Sequence, residues 1–242
     1  MTKSAGPGRC VHCLREVEER NWDHVLPASW YPEATPPDLE KWTAPSCFEC
    51  NSEYGKLEQD LLIRFGLCLD PHSAAAKGIV DKALRSIKPE YGRNAKDREA
   101  RLKKQKEILG EMRRFPELPN RGIFPNFGPA HLAGPDGYYG VLLDKKKIER
   151  LTEKIVRGVA FVQDKIFIDE NYDLAIYFLE DSGATPVVRM IAQYGVQLHR
   201  GPGLIVKRAV IPEDPRAGLY AIEIWQRAKM YAAITPKELE SE

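Results

Sequence analysis

Two Cys-x-x-Cys pairs near the N-terminus have the clearest capacity for chemistry in this sequence. Cys10 and Cys13 form the first pair, and Cys47 and Cys50 form the second. Two residues between thiolates allow both sulfurs to face one point, and two such pairs supply the four ligands of a tetrahedral zinc ion. Disulfides are the alternative, which a reducing compartment disfavours. We therefore predict a structural zinc (Zn²⁺) site at these four cysteines.

The 33 residues between the two pairs exceed the roughly 15 to 20 that are typical of a plain zinc ribbon. Asp23 and His24 lie side by side in this interval, and Asn51 and Lys56 follow the last cysteine. Carboxylate and amide oxygens can hold a hard cation such as Mg²⁺ or Mn²⁺, and an imidazole can take a proton from water near neutral pH. This combination of metal and base is suited to the hydrolysis of a phosphodiester.

Three motifs follow one another in this region: Cys10-x-x-Cys13, Asp23-His24-Val25-x-Pro27 and Cys47-x-x-Cys50-Asn51. Their order resembles the zinc-binding branch of the HNH endonuclease family, over about 50 of the 242 residues. The resemblance implies a ββα-metal unit, in which a hairpin carrying acid and base packs on a helix that supplies the last metal ligand. It implies that His24 is the general base, that Asp23 and Asn51 hold a catalytic Mg²⁺ or Mn²⁺ ion, and that the zinc site pins hairpin to helix.

The chain departs from the family pattern in the hairpin loop. The family has an asparagine about six residues before the third cysteine, whereas residues 38–43 contain none, so another group must brace this loop. Three residues here also have alternative roles. Asn51 could be a helix N-cap, Lys56 a solvated lysine and Glu58 an additional metal ligand.

A basic segment follows, with nine Lys or Arg against four Asp or Glu between Arg93 and Arg114. Five of these residues form a stripe that could follow phosphate groups: Arg98, Arg101, Lys103, Lys104 and Lys106. A solvated helix face is an equal alternative. We predict that Lys56, Arg98, Arg101 and Lys104 contact nucleic acid.

The composition limits the class of protein. A formal net charge of +1 excludes a polycation that binds nucleic acid through its average charge, so any such affinity must be local. The N-terminal residues show no apolar run of a secretory signal, and no stretch approaches the roughly 18 apolar residues of a membrane helix. These features predict a cytoplasmic protein with no membrane contact.

The hydrophobic patterns predict an α+β fold: a zinc-stapled ββα-metal unit, a helical middle and a C-terminal helix with a small antiparallel sheet. Helices are predicted from about Lys56 onward, at 74–88, at 95–114 and at 142–162, with a short helix at 186–194. Strands are predicted at 173–179, 204–211, 219–225 and 230–234. Cys68, Tyr220, Trp225 and Tyr231 are predicted to be packed in the core.

The breaks in these patterns predict three segments: a nuclease unit at 1–70, a helical extension with a Pro-rich linker at 71–137, and an α+β domain at 138–242. Residues 115–140 are the linker candidate. The C-terminal segment has no motif with a readable mechanism. It could recognise substrate, self-associate, or bind a protein partner such as a prokaryotic antiviral defence assembly, in which the family is frequently used.

These motifs lead to one functional prediction and one alternative. The prediction is a metal-dependent endonuclease that hydrolyses phosphodiester bonds in nucleic acid, with DNA preferred over RNA. The alternative is a zinc module without catalysis, which binds nucleic acid or a protein partner.

Overall fold

The computed structural model describes residues 4–114, 139–141, 143–178, 181, 183–199 and 201–237. Within these residues the fold combines helices with an antiparallel sheet, as predicted. The helices are α1 (Phe48–Gly66), α2 (Ile79–Ile87), α3 (Ala95–Glu111), α4 (Lys145–Asp164) and α5 (Ala184–Tyr194). The predicted linker lies outside the described residues except for its last two, which are in a short strand, and Leu142 also lies outside them.

In the described part of the chain, six short strands precede α4: β1 (Gly8–Arg9), β2 (Glu16–Val17), β3 (Arg20–His24), β4 (Thr43–Cys47), β5 (Arg113–Arg114) and β6 (Tyr139–Gly140). They pair antiparallel as β1 with β2, β3 with β4 and β5 with β6. Since β4 runs directly into α1, two paired strands and a helix follow one another between Arg20 and Gly66.

Helix α1 begins at Phe48, eight residues before the predicted start. Cys47 is its N-cap, and the Cys47 sulfur accepts a hydrogen bond from the Cys50 backbone N–H. Cysteine is not among the residues that usually mark the N-cap of a helix. The start was therefore predicted from the apolar pattern alone, which begins later in the helix. Asn51 is therefore the fourth residue of the helix, and its alternative role as N-cap is wrong.

The C-terminal strands are β7 (Tyr172–Tyr177), β8 (Val196–His199), β9 (Leu204–Ile211), β10 (Asp214–Ile224) and β11 (Ala228–Pro236). They form one antiparallel sheet in the order β7-β11-β10-β9-β8. The four predicted strands are confirmed. Two details differ from the prediction. Strand β10 starts earlier than predicted, and its pairing with β9 shifts register between Asp214 and Gly218. The edge strand β8 was not predicted, because four residues are too few to show an alternating pattern.

The two faces of this sheet pack against different helices. Alternate residues such as Tyr220 and Met230 join the main core with α4, whereas Tyr231 packs with Val187 of α5 on the other face. Cys68, Tyr220, Trp225 and Tyr231 are all buried, as predicted.

The main hydrophobic core is continuous from the N-terminal strands to the last strand. It includes Val11 and Val25, Phe65 of α1, Ile155 of α4 and Ile222 of β10. The division into three segments stays a prediction, but their apolar side chains share this cluster. None of the helices in the described residues is both long and apolar enough to cross a membrane.

Candidate metal centre and active site

The four cysteines come together between two local structures. Cys10 and Cys13 lie in the tight turn between β1 and β2, where Leu14 adopts a left-handed conformation and donates its N–H to the Cys10 carbonyl. Cys47 ends β4, and Cys50 lies in the first turn of α1. An ion at these ligands would therefore join the first hairpin to the junction of β4 and α1.

The sulfur positions fit a tetrahedral zinc ion. All four sulfurs lie within 4.8 Å of one another, and Cys13 Sγ and Cys47 Sγ are 3.8 Å apart. Zinc–sulfur bonds of about 2.3 Å in a tetrahedron put sulfurs about 3.8 Å apart. All five cysteines of the chain are free thiols, which agrees with a metal site and not with disulfides. The four cysteines could thus hold a zinc ion.

The pKa values of the Cys13 and Cys50 thiols are shifted in opposite directions. Burial raises the pKa of Cys13, but hydrogen bonds from Arg15 outweigh it and lower this pKa to about 6. Burial, together with the neighbouring thiols, raises the pKa of Cys50. Thiolates this close repel one another, so the cluster becomes fully ionised only when a cation joins them.

Asp23 lies on β3, opposite Ala44 of β4, and is only 8% exposed. Its Oδ2 atom is 2.9 Å from Nζ of Lys154 on α4, in an ion pair without an aligned hydrogen bond. Burial alone would raise the pKa of Asp23, but His12 and Lys154 hold it below its usual range. Asp23 is therefore an ionised, buried carboxylate.

Lys154 is 1% exposed and also donates a short hydrogen bond to Glu58 of α1. We call Asp23, Glu58 and Lys154 the Lys154 cluster. Burial raises the pKa of Glu58 to about 6, although Lys154 opposes this shift. The cluster holds one ammonium between two carboxylates, so it carries a net charge of −1 when all three groups are ionised.

Sequence reasoning missed His12 and Lys154. His12 lies between the first two cysteines and is buried. Its Nε2 atom is 3.6 Å from Asp23 Oδ2, and its ring packs edge-on against that of Tyr54, with 4.8 Å between the ring centroids. Burial lowers the pKa of His12, so the ring is neutral at pH 7. A signal for Lys154 was present, because it follows Leu151 by three residues on the apolar face of a predicted helix.

His24, the predicted base, ends β3 and is half-buried. Burial lowers its pKa, so the imidazole is neutral near pH 7, and its Nδ1 atom is buried with no hydrogen-bond partner in the described part of the chain. Its ring is thus uncharged and able to accept a proton.

Two candidate oxygen donors are uncommitted. Within the described residues, neither Oδ1 of Asp23 nor the half-buried side chain of Asn51 has a hydrogen-bond partner. A hard divalent cation requires oxygen donors that no protein group has already saturated. In donor chemistry, Asp23 and Asn51 fit Mg²⁺ or Mn²⁺.

Aromatic residues brace the loop between β3 and β4, where the family asparagine is missing. Trp30 and Trp42 are buried, and the indole of Trp30 packs against that of Trp225, with 5.0 Å between the ring centroids. Trp225 Nε1 donates to the Trp30 carbonyl (2.9 Å), and Lys82 Nζ donates to the Tyr31 carbonyl (2.8 Å). Trp225, in the turn after β10, and Lys82 of α2 thus hold the loop in place.

Three of the four residues predicted to contact nucleic acid line one cavity of about 250 Å³: Lys56, Arg101 and Lys104. Arg101 donates to Asp97 (3.1 Å), and Lys104 donates to Glu107 (2.8 Å). Arg98 donates to the Gly92 carbonyl instead (3.3 Å). Because carboxylates offset much of this charge, the role of these residues in binding nucleic acid stays a prediction.

A second group of charges, of which Asp60 and Arg64 are buried, lies beside this cavity. It surrounds Asp60 of α1, which is bonded to Arg64, Lys104 and Lys147. Arg64 also contacts two carboxylates of α3. We call the whole set the Asp60 cluster: Asp60, Arg64, Lys104, Glu107, Glu111 and Lys147.

Comparison of the chain with family models, with curated proteins and with solved structures found no match.

Proposed function

We propose that this protein is a zinc-stapled, metal-dependent endonuclease that hydrolyses phosphodiester bonds in DNA. The observation that carries the proposal is the order of these groups in the fold. Asp23 and His24 end strand β3, which pairs with β4, and β4 leads directly into α1. The four cysteines lie close together, with Cys47 and Cys50 at the junction of β4 and α1. The resemblance of the motif order to the HNH family supports the same function.

In the proposed reaction, the neutral imidazole of His24 accepts a proton from a water molecule as the water oxygen bonds to phosphorus. The bond between phosphorus and the 3′ oxygen breaks, and the 3′ oxygen takes a proton from solvent. The products carry a 5′-phosphate and a 3′-hydroxyl. Asp23 and Asn51 would hold a divalent ion, which when bound neutralises charge on the phosphate and the leaving oxygen.

The supporting roles fall to other residues. The four cysteines would bind zinc and fix the hairpin against α1, because so small a unit has little core of its own. Lys56 is exposed on α1, two turns after the zinc site, where it could contact a phosphate.

A plasmid assay tests the proposal. We expect the full-length protein to cut supercoiled plasmid with Mg²⁺ or Mn²⁺, and EDTA to stop cleavage. His24→Ala should lower the rate by at least about 100-fold, because a positioned base contributes a factor of this order. His72→Ala is the matched control, since His72 is exposed; both variants should keep the wild-type zinc content. Undiminished cleavage by His24→Ala would refute the mechanism.

One observation favours the alternative, a zinc module without catalysis. Lys154 already pairs with the carboxylate that would bind the catalytic ion. Binding of the plasmid without cleavage under either metal would support this alternative.

A further inference from the structure

The Lys154 cluster has an unusual composition for a buried site. Exposure of the side chains is 1% for Lys154, 10% for Asp23 and 15% for Glu58. A buried ion pair is normally balanced, because an uncompensated charge is costly to remove from water. Here two carboxylates share one ammonium, which leaves one negative charge beside the uncommitted Oδ1 atom of Asp23.

We propose that Lys154 is an internal counter-cation that sets the affinity of the Asp23 site for a divalent ion. The proposal rests on the proposed function, which places such an ion at Asp23. Without Lys154 the two carboxylates would present two negative charges, and charges a few ångströms apart in a buried site interact strongly. The ammonium removes one of these charges and so keeps the affinity for the ion low.

The ammonium is held in place by its helix. Ile155 and Val159 of α4 have no exposed surface. The helix also lies so close to Val25, the residue after β3, that a Cβ on Gly158 would be 2.7 Å from a Val25 methyl group. Lys154 therefore stays beside Asp23, and a divalent ion must bind next to the ammonium without displacing it.

A weak ion site suits an enzyme that acts on phosphates. Mg²⁺ is commonly held by one or two carboxylates together with oxygens of a substrate phosphate. With Lys154 present, Asp23 and Asn51 provide too few ligands and too little charge for tight binding alone. The phosphodiester would supply the missing oxygen and negative charge, so ion and nucleic acid would bind together.

The test is a series of Mn²⁺ titrations of the full chain, zinc-loaded and free of nucleic acid, followed by electron paramagnetic resonance at pH 8. With every carboxylate ionised, the cluster charge is −2 in Lys154→Met, −1 in the wild type and in Lys154→Arg, and zero in Glu58→Gln. We expect the Kd for Mn²⁺ to be at least about tenfold lower in Lys154→Met and at least about tenfold higher in Glu58→Gln. Lys154→Arg should stay within about threefold of the wild type.

Lys147→Met is the matched control. It removes an ammonium from the same helix, but from Asp60 instead of Asp23, and should leave the Kd for Mn²⁺ unchanged. An unchanged or higher Kd in Lys154→Met would overturn the proposal. If Lys154→Met does not fold, Glu58→Gln decides, because an unchanged Kd there would overturn it equally.

The outcome separates this proposal from the proposed function. The expected order of Mn²⁺ affinities without plasmid cleavage would support the role of Lys154 and refute the nuclease. Cleavage without that order would support the nuclease and refute the role of Lys154.

Discussion

The Lys154 cluster and the Asp60 cluster lie on opposite faces of α1, because Glu58 and Asp60 are two residues apart on the helix. Both bury charged groups, and both connect α1 to α4 through a lysine of α4. They differ in composition. The Asp60 cluster has three cations and three carboxylates, whereas the Lys154 cluster has one cation and two carboxylates.

This difference separates a structural role from a candidate functional one. The balanced Asp60 cluster has no charge left for a ligand, and its pairs join α1, α3 and α4. The Lys154 cluster is left with negative charge at Asp23, whose Oδ1 atom has no hydrogen-bond partner in the described residues. A charge surplus is costly for folding, and in our proposal the divalent ion at Asp23 would offset it.

The largest expected difference between the clusters is in their dependence on a single lysine. Lys154→Met removes the only cation of its cluster, and breaking a buried pair in this way costs about 3–5 kcal/mol of unfolding free energy. Lys147→Met should cost less than about 1 kcal/mol, because Lys147 is 39% exposed and Asp60 keeps Arg64 and Lys104. Urea unfolding of the two variants, both zinc-loaded and without Mg²⁺ or Mn²⁺, checks this, and equal losses would contradict the comparison.

A second test is the pH dependence of the Asp60 cluster. Burial raises the pKa of Asp60, but Lys104 and Lys147 outweigh it and lower this pKa to about 2. Because the folded-state pKa lies below the ordinary value, the stabilisation is complete above that value and is lost as the pH falls towards 2.

Asp60→Asn should therefore cost about 2 kcal/mol at neutral pH. The difference from the wild type should shrink between about pH 5 and pH 2, as measured by urea unfolding at several pH values. A difference that does not change over this range would show that the charge of Asp60 is not what stabilises the cluster.

The smallest expected effect tests how closely α4 must approach β3. In Gly158→Ala, the added methyl group would meet Val25 at 2.7 Å. Overpacking costs about 1–3 kcal/mol and the gain in helix propensity returns about 1, so we expect a net loss of about 1 kcal/mol.

Gly55→Ala is its matched control. No atom lies within 4 Å of the Cβ that this helical glycine would gain, so we expect stabilisation by about 0.5–1 kcal/mol. Thermal unfolding checks both variants. Gain of stability in Gly158→Ala would show that α4 can move away from β3.

Local patterns predicted much of this molecule. Cysteine spacing was enough to place four sulfurs together, because two residues between thiolates restrict where both can point. The antiparallel strands were also predictable, since alternating and β-branched residues between turns are a short-range signal.

The rest depends on long-range packing that no local pattern contains. Asp23 and Lys154 are 131 positions apart in the sequence, and only the fold of α4 against β3 brings them together. Trp225 braces a loop 195 positions away through one hydrogen bond. A lysine on an apolar helix face marks a buried charge, but its partner cannot be identified without the tertiary structure.

The continuous core from Val11 to Ile222 has a consequence for modularity. A segment of residues 1–70 grafted onto another protein would carry the cysteines, Asp23 and Glu58, but not the lysine between the two carboxylates. It would also expose the apolar surface that α4 covers. In protein engineering, the proposed nuclease unit would therefore have to be transferred together with α4. If a helix of the new host replaced α4, the residues of that helix would set the affinity for an ion at Asp23.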